Sequence, residues 1–183
     1  MRLYGDLIPK GMEMQIIVDG YNLIRRSAFL AELDRQDLEA GREELLRELA
    51  PYQAFKRHRI TIVFDGREGG VPIEHREKRG GLVVIFSRQG EVADEVIKRL
   101  ASPGAVVVTS DRELADAVER AGAVAVDSAA FWAKVEDAAY RRLKGISEED
   151  EEEEKQSLGP RKKGPARKLP KALRRKGEVL RRL

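Results

Sequence analysis

The chain contains no cysteine, which excludes disulfide bonds and thiolate metal sites. Aromatic residues make up only 5% of the sequence, and asparagine occurs once, at Asn22. No apolar run is long enough to cross a bilayer, and the first residues lack the apolar stretch of a secretory signal. We therefore expect a cytoplasmic protein without a membrane partner, in which carboxylates are the obvious ligands for any hard cation.

Length and composition allow one domain with an appendage. Hydrophobic residues make up 42% of the 183 residues, which is enough for a buried core. Charge is unevenly spread: residues 148–154 are all acidic, whereas residues 155–183 hold 12 lysines and arginines and one glutamate. We expect a leader at 1–13, a domain at 14–144 and an acidic, then basic, extension at 145–183.

The basic end of this extension contains prolines and glycines and few large apolar residues. Such a composition cannot order itself alone, so we expect the extension to be disordered or partly helical, with any helix interrupted at Gly177. Two interpretations stay open: a solvated segment that aids solubility, or a segment that binds nucleic acid. The candidate RNA-binding residues of this segment are Arg161, Lys162, Lys163, Arg174, Arg175 and Lys176.

Short apolar runs alternate with helical patterns along the rest of the chain. The runs that predict strands lie at residues 16–18, 60–65, 82–87, 105–111 and 123–126. The helical pattern that begins at Asp37 is long enough for a crossover helix between the first two strands. Repeated β-α units with continuous apolar strands are typical of parallel sheets. We therefore predict a three-layer α/β/α domain whose mostly parallel sheet has four to five strands.

Acidic residues stand where three of these strands end, at Asp19, Asp65 and Asp111. Asp94 lies near the start of the helix after the third strand, where it shares a predicted helix face with Glu91. Because parallel strands end at one edge of the sheet, we expect these carboxylates to lie together. Packed acids repel and need a cation, and Mg²⁺ or Mn²⁺ suits an all-oxygen site. Helix capping is the alternative explanation for each aspartate taken alone.

Basic residues flank this predicted edge and could bind a phosphate backbone. The candidates are Arg25, Arg26, Arg67 and Arg112. For Arg25 and Arg26 a solvated helix face is an equal alternative. The segment from 67 to 81 is rich in glycine and charge, which predicts a loop. We interpret His58 as a structural or surface residue and His75 as a solvated loop residue.

Four motifs resemble those of a known family. They are V-D-G-Y-N after the first strand, V-F-D-G after the second, and then F-S-R-Q-G-E-V-A-D-E-V-I and V-V-T-S-D-R-E. In this order and spacing they resemble the NYN domain, specifically its YacP-like branch within the PIN-like nuclease superfamily. The resemblance covers about residues 14 to 140 and does not extend beyond Lys144. It implies a PIN-like, Rossmann-like arrangement of the predicted sheet.

The resemblance also implies an activity. Members of the superfamily are metal-dependent ribonucleases, and the YacP-like branch is associated with endonucleolytic cleavage of messenger RNA in connection with the ribosome. It therefore implies an endoribonuclease that uses Mg²⁺ or Mn²⁺, acts on single-stranded messenger RNA and has the ribosome as a further partner. The implied principal metal ligands are Asp19, Asp94 and Asp111. The other implied site residues are Asn22, which would orient the site, Thr109 and Ser110, which would support it, and the accessory acids Asp65 and Glu91.

Two other functions stay open on the same residues. One is a non-catalytic RNA- or ribosome-binding protein that keeps the fold and uses its basic tail. The other is a metal-dependent DNA nuclease or phosphatase on the same scaffold. Substitution of Asp94 and Asp111 by asparagine separates the enzyme from the binding protein, because only an enzyme has cleavage to lose.

Overall fold

The computed structural model describes residues 13–66, 73–145 and 170–183. Its strands are β1 (Gln15–Asp19), β2 (Arg59–Phe64), β3 (His75–Arg79), β4 (Leu82–Phe86), β5 (Val106–Val108) and β6 (Val124–Val126). Its helices are α1 (Gly20–Ile24), α2 (Ala28–Gln36), α3 (Leu38–Lys56), α4 (Ala93–Leu100), α5 (Arg112–Arg120), α6 (Ser128–Leu143) and α7 (Lys171–Arg182). Outside the described residues lie the predicted leader except Glu13, the acidic run 148–154, Arg67, Arg161, Lys162 and Lys163.

The strands form one six-stranded sheet in the order β3-β4-β2-β1-β5-β6. All neighbouring pairs are parallel except β3 and β4. The predicted mostly parallel α/β fold is confirmed, although the sheet has one strand more than the upper expected number. The chain places β2 on one side of β1 and later β5 on the other side. The crevice between the carboxyl ends of β1 and β5 is therefore a topological switch point, where open α/β sheets bind ligands.

The additional strand is β3, which lies where we expected a loop. Gly80 and Gly81 form the two-residue turn that joins it to β4, and both have positive φ angles, of 55° and 84°. Such a turn matches the twist of a hairpin and favours glycine at both positions. The pattern of β3, H-R-E-K-R, lacks the apolar alternation that marks most strands. Its charged side chains suit an exposed edge because they discourage pairing with another chain.

Two apolar layers cover the two faces of the sheet. Side chains of β1 alternate between them: Ile16 and Val18 pack in one cluster and Ile17 in the other. Helices α3 and α6 cover the first face, and α4 and α5 cover the second. The long crossover helix predicted from Asp37 is confirmed as α3, and the Asp37 carboxylate caps it by accepting from the Glu39 backbone N–H at 2.8 Å.

The segment after β1 forms the two helices α1 and α2, and Ser27 caps α2 by accepting a hydrogen bond from the Leu30 N–H at 3.4 Å. Helix α4 begins at Ala93, with Val92 at its N-cap. Glu91 therefore precedes the helix, and the expected shared helix face with Asp94 is wrong.

The end of the basic extension packs against the domain as α7. Val179 and Leu183 are only 5% and 2% exposed, and they join the apolar cluster on the α3 side of the sheet. The Tyr52 hydroxyl donates to the Leu183 carbonyl at 2.9 Å. Helix α7 runs through Gly177, so the expected interruption there is wrong. No helix within the described parts of the chain is long and apolar enough to cross a membrane.

Candidate active site

Two of the strand-ending aspartates are followed by glycines that have no room for a side chain. A Cβ atom on Gly20 would lie 2.4 Å from the Phe64 ring, and one on Gly66 would lie 2.0 Å from the Ser87 carbonyl oxygen. Neither glycine has a positive φ angle. The Asp-Gly pairs therefore reflect close packing beneath the carboxyl edge rather than a special backbone conformation.

Asp19, at the end of β1, combines a capping contact with a contact across the switch point. One carboxylate oxygen accepts from the Asn22 backbone N–H at 3.2 Å, and the other accepts from the Thr109 hydroxyl at 3.3 Å. Burial raises the pKa of Asp19 from 3.8 to about 6, the nearby Asp94 carboxylate contributes to this rise, and the hydrogen bonds and Arg25 oppose it. Asp19 therefore caps α1 and also belongs to the group of acids at this edge, so the two interpretations of this aspartate are compatible.

Asn22, in α1, contacts two other segments of this edge through one oxygen atom. Its Oδ1 accepts from the Ser110 backbone N–H at 3.0 Å and from the Ser128 hydroxyl at 2.7 Å. These contacts connect the start of α1 to the loops that follow β5 and β6. The side chain therefore fixes the relative positions of the segments that carry the acidic residues.

Thr109 and Asp111 extend the network on the β5 side. Thr109 is buried, and its hydroxyl accepts from the Asp111 backbone N–H at 3.1 Å while donating to Asp19. The Asp111 carboxylate caps α5 by accepting from the Leu114 N–H at 3.0 Å. Its side chain is otherwise exposed at the edge.

Asp94, in the first turn of α4, interacts electrostatically with the other acids. Burial raises the pKa of Asp94, and the carboxylate of Asp111 raises it further. Glu95 and Asp65 add smaller repulsive contributions, whereas the Lys98 ammonium opposes them. The strand-ending aspartates and the helix-start aspartate are therefore near enough to repel one another, as the sequence predicted.

Glu91, an implied accessory acid, is drawn into an ion-pair network instead. Its carboxylate binds the Arg99 guanidinium at 2.6 Å and lies 3.4 Å from Arg88. Arg99 also pairs with Glu74, which precedes β3. Repulsion from Glu91 is not among the main causes of the raised Asp94 pKa. Glu91 therefore ties the segment before α4 to the end of that helix, and Glu74 joins the same arginine from the β3 side of the sheet.

The acidic edge fits a divalent cation in donor chemistry and in charge, but it does not form a closed cage. Within residues 13–66, 73–145 and 170–183, no three acidic or histidine side chains lie close enough to ligate one ion. Asp19, Asp94 and Asp111, the implied ligands, share the edge without meeting at a single point. Mg²⁺ keeps several of its waters and commonly uses only one or two carboxylates, with substrate phosphates completing its shell. Two carboxyl groups whose pKa values are raised by burial and mutual repulsion suit such an open arrangement.

Asp127 and Ser128 also belong to this edge, and sequence reasoning missed both. Asp127 follows β6 and caps α6 by accepting from the Ala129 and Ala130 N–H groups at 2.9 and 3.2 Å. It also accepts from the Ser110 hydroxyl at 2.7 Å. Burial works against ionisation, but these hydrogen bonds lower the pKa of Asp127. The signal was present: an apolar strand ends on Asp-Ser here, as strands end on aspartate elsewhere.

The predicted cationic residues fall into three groups. Arg25 and Arg26 are exposed beside the acidic edge, and their charges lower the pKa values of Asp19 and Asp127 respectively. Arg112 is exposed at the first turn of α5. The cationic residues of α7 lie away from this edge. The end of α7 contacts His58, which is buried just before β2 at the opposite edge of the sheet. The members of this last group are Arg174, Arg175 and Lys176.

Comparison with known proteins gives concordant results. A family model described as the YacP-like NYN domain matches residues 16–177, so the match passes Lys144, where we expected the resemblance to end, and enters α7. "Uncharacterized protein YacP" of Bacillus subtilis (strain 168) is 34% identical over 88 residues, which are 47% of this chain and 50% of that protein. The alignment thus spans about half of this curated relative.

Two crystal structures of Rae1 (YacP) from Bacillus subtilis resemble the fold. One, of a mutant in which leucine replaces a tryptophan, is 28% identical with a TM-score of 0.60, and the alignment covers 71% of this chain and 79% of that one. The second structure is 26% identical with a TM-score of 0.61, and the alignment covers 80% of this chain and 87% of that one.

Proposed function

Because this chain belongs to the YacP-like NYN domain family, we propose that it is a divalent-metal-dependent endoribonuclease that hydrolyses phosphodiester bonds in RNA. The observation that carries the proposal is the electrostatic coupling of Asp94 with Asp19, Asp65 and Asp111 at the switch point of the sheet. Acids with raised pKa values in a cleft are typical of functional sites. Ion pairing does not explain them, because an ion pair lowers the pKa of a carboxyl group, whereas burial and the Asp111 carboxylate raise the pKa of Asp94 despite the opposing charge of Lys98.

The residues that would hold the metal are Asp19, Asp94 and Asp111. A bound Mg²⁺ or Mn²⁺ would supply a Lewis acid that stabilises charge on the phosphoryl oxygens and lowers the pKa of an attacking water. Thr109 holds the Asp19 carboxylate and the backbone of Asp111 in one hydrogen-bonded unit. Asn22 joins α1 to the loop that follows β5 and to the start of α6. This chain therefore contributes position and negative charge, and needs no side-chain nucleophile.

Arg25, Arg26 and Arg112 are exposed at the same edge, where they would bind the phosphate backbone of the substrate. The proposed substrate is single-stranded messenger RNA, and the ribosome is proposed as the partner that presents it. Both parts come from the family resemblance and are open to direct test.

The decisive experiment is cleavage of defined RNAs by the full chain and by Asp94→Asn and Asp111→Asn variants, with Mg²⁺ or Mn²⁺ and with or without ribosomes. We expect cleavage to fall by about 10²- to 10³-fold in both variants, the loss typical when a central electrostatic group is removed. Asp116→Asn, on the exposed side of α5, is the matched control and should cleave normally.

Three outcomes would count against the proposal. Unchanged cleavage by both variants would remove these acids from the chemistry. RNA binding without cleavage by the unmodified chain, with or without ribosomes, would favour the non-catalytic alternative. Faster hydrolysis of single-stranded DNA or of a small phosphoester than of RNA would assign a different substrate to the same edge.

A further inference from the structure

Two aromatic side chains are mainly exposed among the described residues, and one of them lies near the acidic edge. Phe29, the second residue of α2, is 61% exposed, and Tyr140 on α6 is 59% exposed. By contrast, Phe64 and Phe131 are completely buried. In a chain with so few aromatic residues, an exposed phenylalanine in the first turn of a surface helix does not contribute to the core.

The neighbours of Phe29 connect it to the acidic edge. Arg25 ends α1, which begins directly after Asp19, and Arg25 lowers the pKa of that aspartate. Arg26 does the same for Asp127. Phe29 is three positions after Arg26, so their Cα atoms are at most about 11 Å apart even if the chain between them were fully extended. The backbone therefore keeps Phe29 close to both arginines.

The two arginines interact with Asp19 and Asp127 through longer-range electrostatics rather than through close ion pairs with any described residue. Within the part of the chain that the structure describes, neither guanidinium lies within 4 Å of a carboxylate oxygen. Both side chains are exposed. Two exposed cations and an exposed ring within five residues of the chain are complementary to a nucleic-acid strand, which presents anionic phosphates and aromatic bases together.

We propose that Arg25, Arg26 and Phe29 form a binding subsite for one unpaired base of single-stranded RNA next to the acidic edge. The base stacks on the Phe29 ring, and the arginines bind the adjoining phosphates. A base inside a duplex does not offer its face to the ring, so the subsite selects unpaired RNA. It does not select sequence, since every base has a stacking face. This inference rests on the proposed function and names the substrate feature that it recognises.

The test measures binding separately from cleavage. A short fluorescein-labelled oligouridylate is titrated with the full chain in the presence of EDTA, and binding is followed by fluorescence anisotropy. We expect Phe29→Ala to weaken binding by about 5- to 150-fold, the range for loss of one stacked base. Phe29→Trp should bind at least as tightly as the unmodified chain, whereas Phe29→Leu, which is apolar but not aromatic, should resemble Phe29→Ala.

Tyr140→Ala is the matched control. Tyr140 is about as exposed as Phe29 and also has a cation beside its ring, with Lys144 Nζ 5.7 Å from the ring centroid. It lies 12 residues beyond the start of α6, which places it about 18 Å along the helix from the acidic edge. We expect binding by Tyr140→Ala to be unchanged. An equal loss in both variants would mean that any exposed ring contributes, and would overturn the subsite.

Oligonucleotides with a single abasic position identify the stacked base. The unmodified chain should lose affinity at one position along the strand, and Phe29→Ala should show no further loss at that position. Equal binding by Phe29→Ala and the unmodified chain would refute the subsite. So would a Phe29→Ala variant that binds naked RNA normally but loses association with ribosomes, because Phe29 would then contact the ribosome rather than the substrate strand.

Cleavage with Mn²⁺ then separates the two proposals. If the unmodified chain binds RNA through Phe29 but never cleaves it, the proposed activity fails and the subsite stands. If Phe29→Ala cleaves with an unchanged KM, the subsite fails and the activity stands.

Discussion

The polar groups at the two edges of the sheet have opposite environments: acids repel one another at the carboxyl edge, whereas a buried histidine forms hydrogen bonds at the amino edge. At the carboxyl edge, burial and repulsion raise the pKa of Asp19 to about 6 and also raise the pKa of Asp94. At the amino edge, Nδ1 of His58 accepts from the Met14 N–H at 3.5 Å, and its Nε2 lies 3.3 Å from the Arg182 carbonyl. Since Nδ1 accepts, Nε2 carries the proton and donates to that carbonyl.

This difference separates stability from function. The amino edge is closed by α7, whose last residues form hydrogen bonds with buried side chains and fill the apolar cluster. The carboxyl edge keeps charges together at a cost in folding free energy, and a cation would relieve that cost. Residues at the two edges should therefore respond differently to substitution.

The largest expected effect on stability is at the amino edge. Replacing both Val179 and Leu183 by alanine should lower the free energy of unfolding by about 3 to 6 kcal/mol, because two buried side chains lose most of their apolar contact. Urea denaturation measures the change. Leu173→Ala, on the exposed side of the same helix, should change stability by less than about 0.5 kcal/mol. Equal effects of the two changes would mean that α7 is not held by these side chains.

At the carboxyl edge, Asp19→Asn should stabilise the metal-free protein while abolishing cleavage. The pKa of Asp19 rises from the ordinary aspartate value of 3.8, which applies to the unfolded chain, to about 6 in the folded chain. The folded state thus gains stability from protonated Asp19 below pH 3.8 and loses it as the pH rises through about 6. Above that pH the asparagine variant should be more stable by up to about 3 kcal/mol.

Thermal unfolding in EDTA from about pH 4 to about pH 8 tests this sign. The difference between Asp19→Asn and the unmodified chain should grow as the pH rises from 3.8 to about 6 and then stay constant. Mg²⁺ should stabilise the unmodified chain more than the variant. A variant that is less stable than the unmodified chain at neutral pH would contradict the electrostatic account of this edge.

Asn22→Ala tests the neutral contacts that hold the carboxyl edge together. We expect a loss of about 2 kcal/mol, because the Ser110 N–H and the Ser128 hydroxyl lose their common acceptor. Chemical denaturation measures this loss. Ser128→Ala removes one donor together with its bond, so it should cost less than about 1 kcal/mol. The reverse order would show that Ser128, rather than Asn22, joins the loops.

The smallest expected effect on stability comes from the cations of α7. Changing Arg174, Arg175 and Lys176 together to glutamine should leave stability within about 0.5 kcal/mol, because these residues are mainly at the surface. If α7 also binds RNA, the slope of log affinity against log salt should fall by up to about 0.7 for each lost contact. An unchanged slope would limit α7 to its structural role. Substitution is preferable to deletion, which would also remove the buried Val179 and Leu183.

Sequence reasoning identified most of the fold because its strongest signals are local. Continuous apolar runs predicted the parallel strands, and the pattern after Asp37 predicted α3. Strand β3 was missed because its residues are charged, and its pairing depends on the turn at Gly80 and Gly81 together with the neighbouring strand. The docking of α7 was missed for a related reason: a few leucines and a valine in a basic segment look insufficient until a preformed apolar surface accepts them.

The residues of the site also divide into those that local patterns identified and those that only the fold brings together. The aspartates Asp19, Asp65 and Asp111 were visible in the sequence, because an apolar run that stops at or near an aspartate is a local pattern, although β5 itself ends at Val108. Glu91 was wrongly placed on the face of α4 because that helix begins at Ala93, whereas its role as an accessory acid stays a prediction. Asp127 ends its strand with the same pattern, yet its membership depends on contacts with Ser110 that only folding creates.

The sequence by itself determined an α/β chain in which carboxylates follow the parallel strands. Both signals, the spacing of apolar residues and the residue after each apolar run, come from residues that are close together in the sequence. The tertiary structure decided which of those carboxylates repel one another, which glutamate is neutralised by arginine, and that the basic end of the chain closes the opposite edge. These outcomes depend on burial and on distances between residues far apart in sequence. Burial and distance set the energies of charges, and no local pattern specifies them.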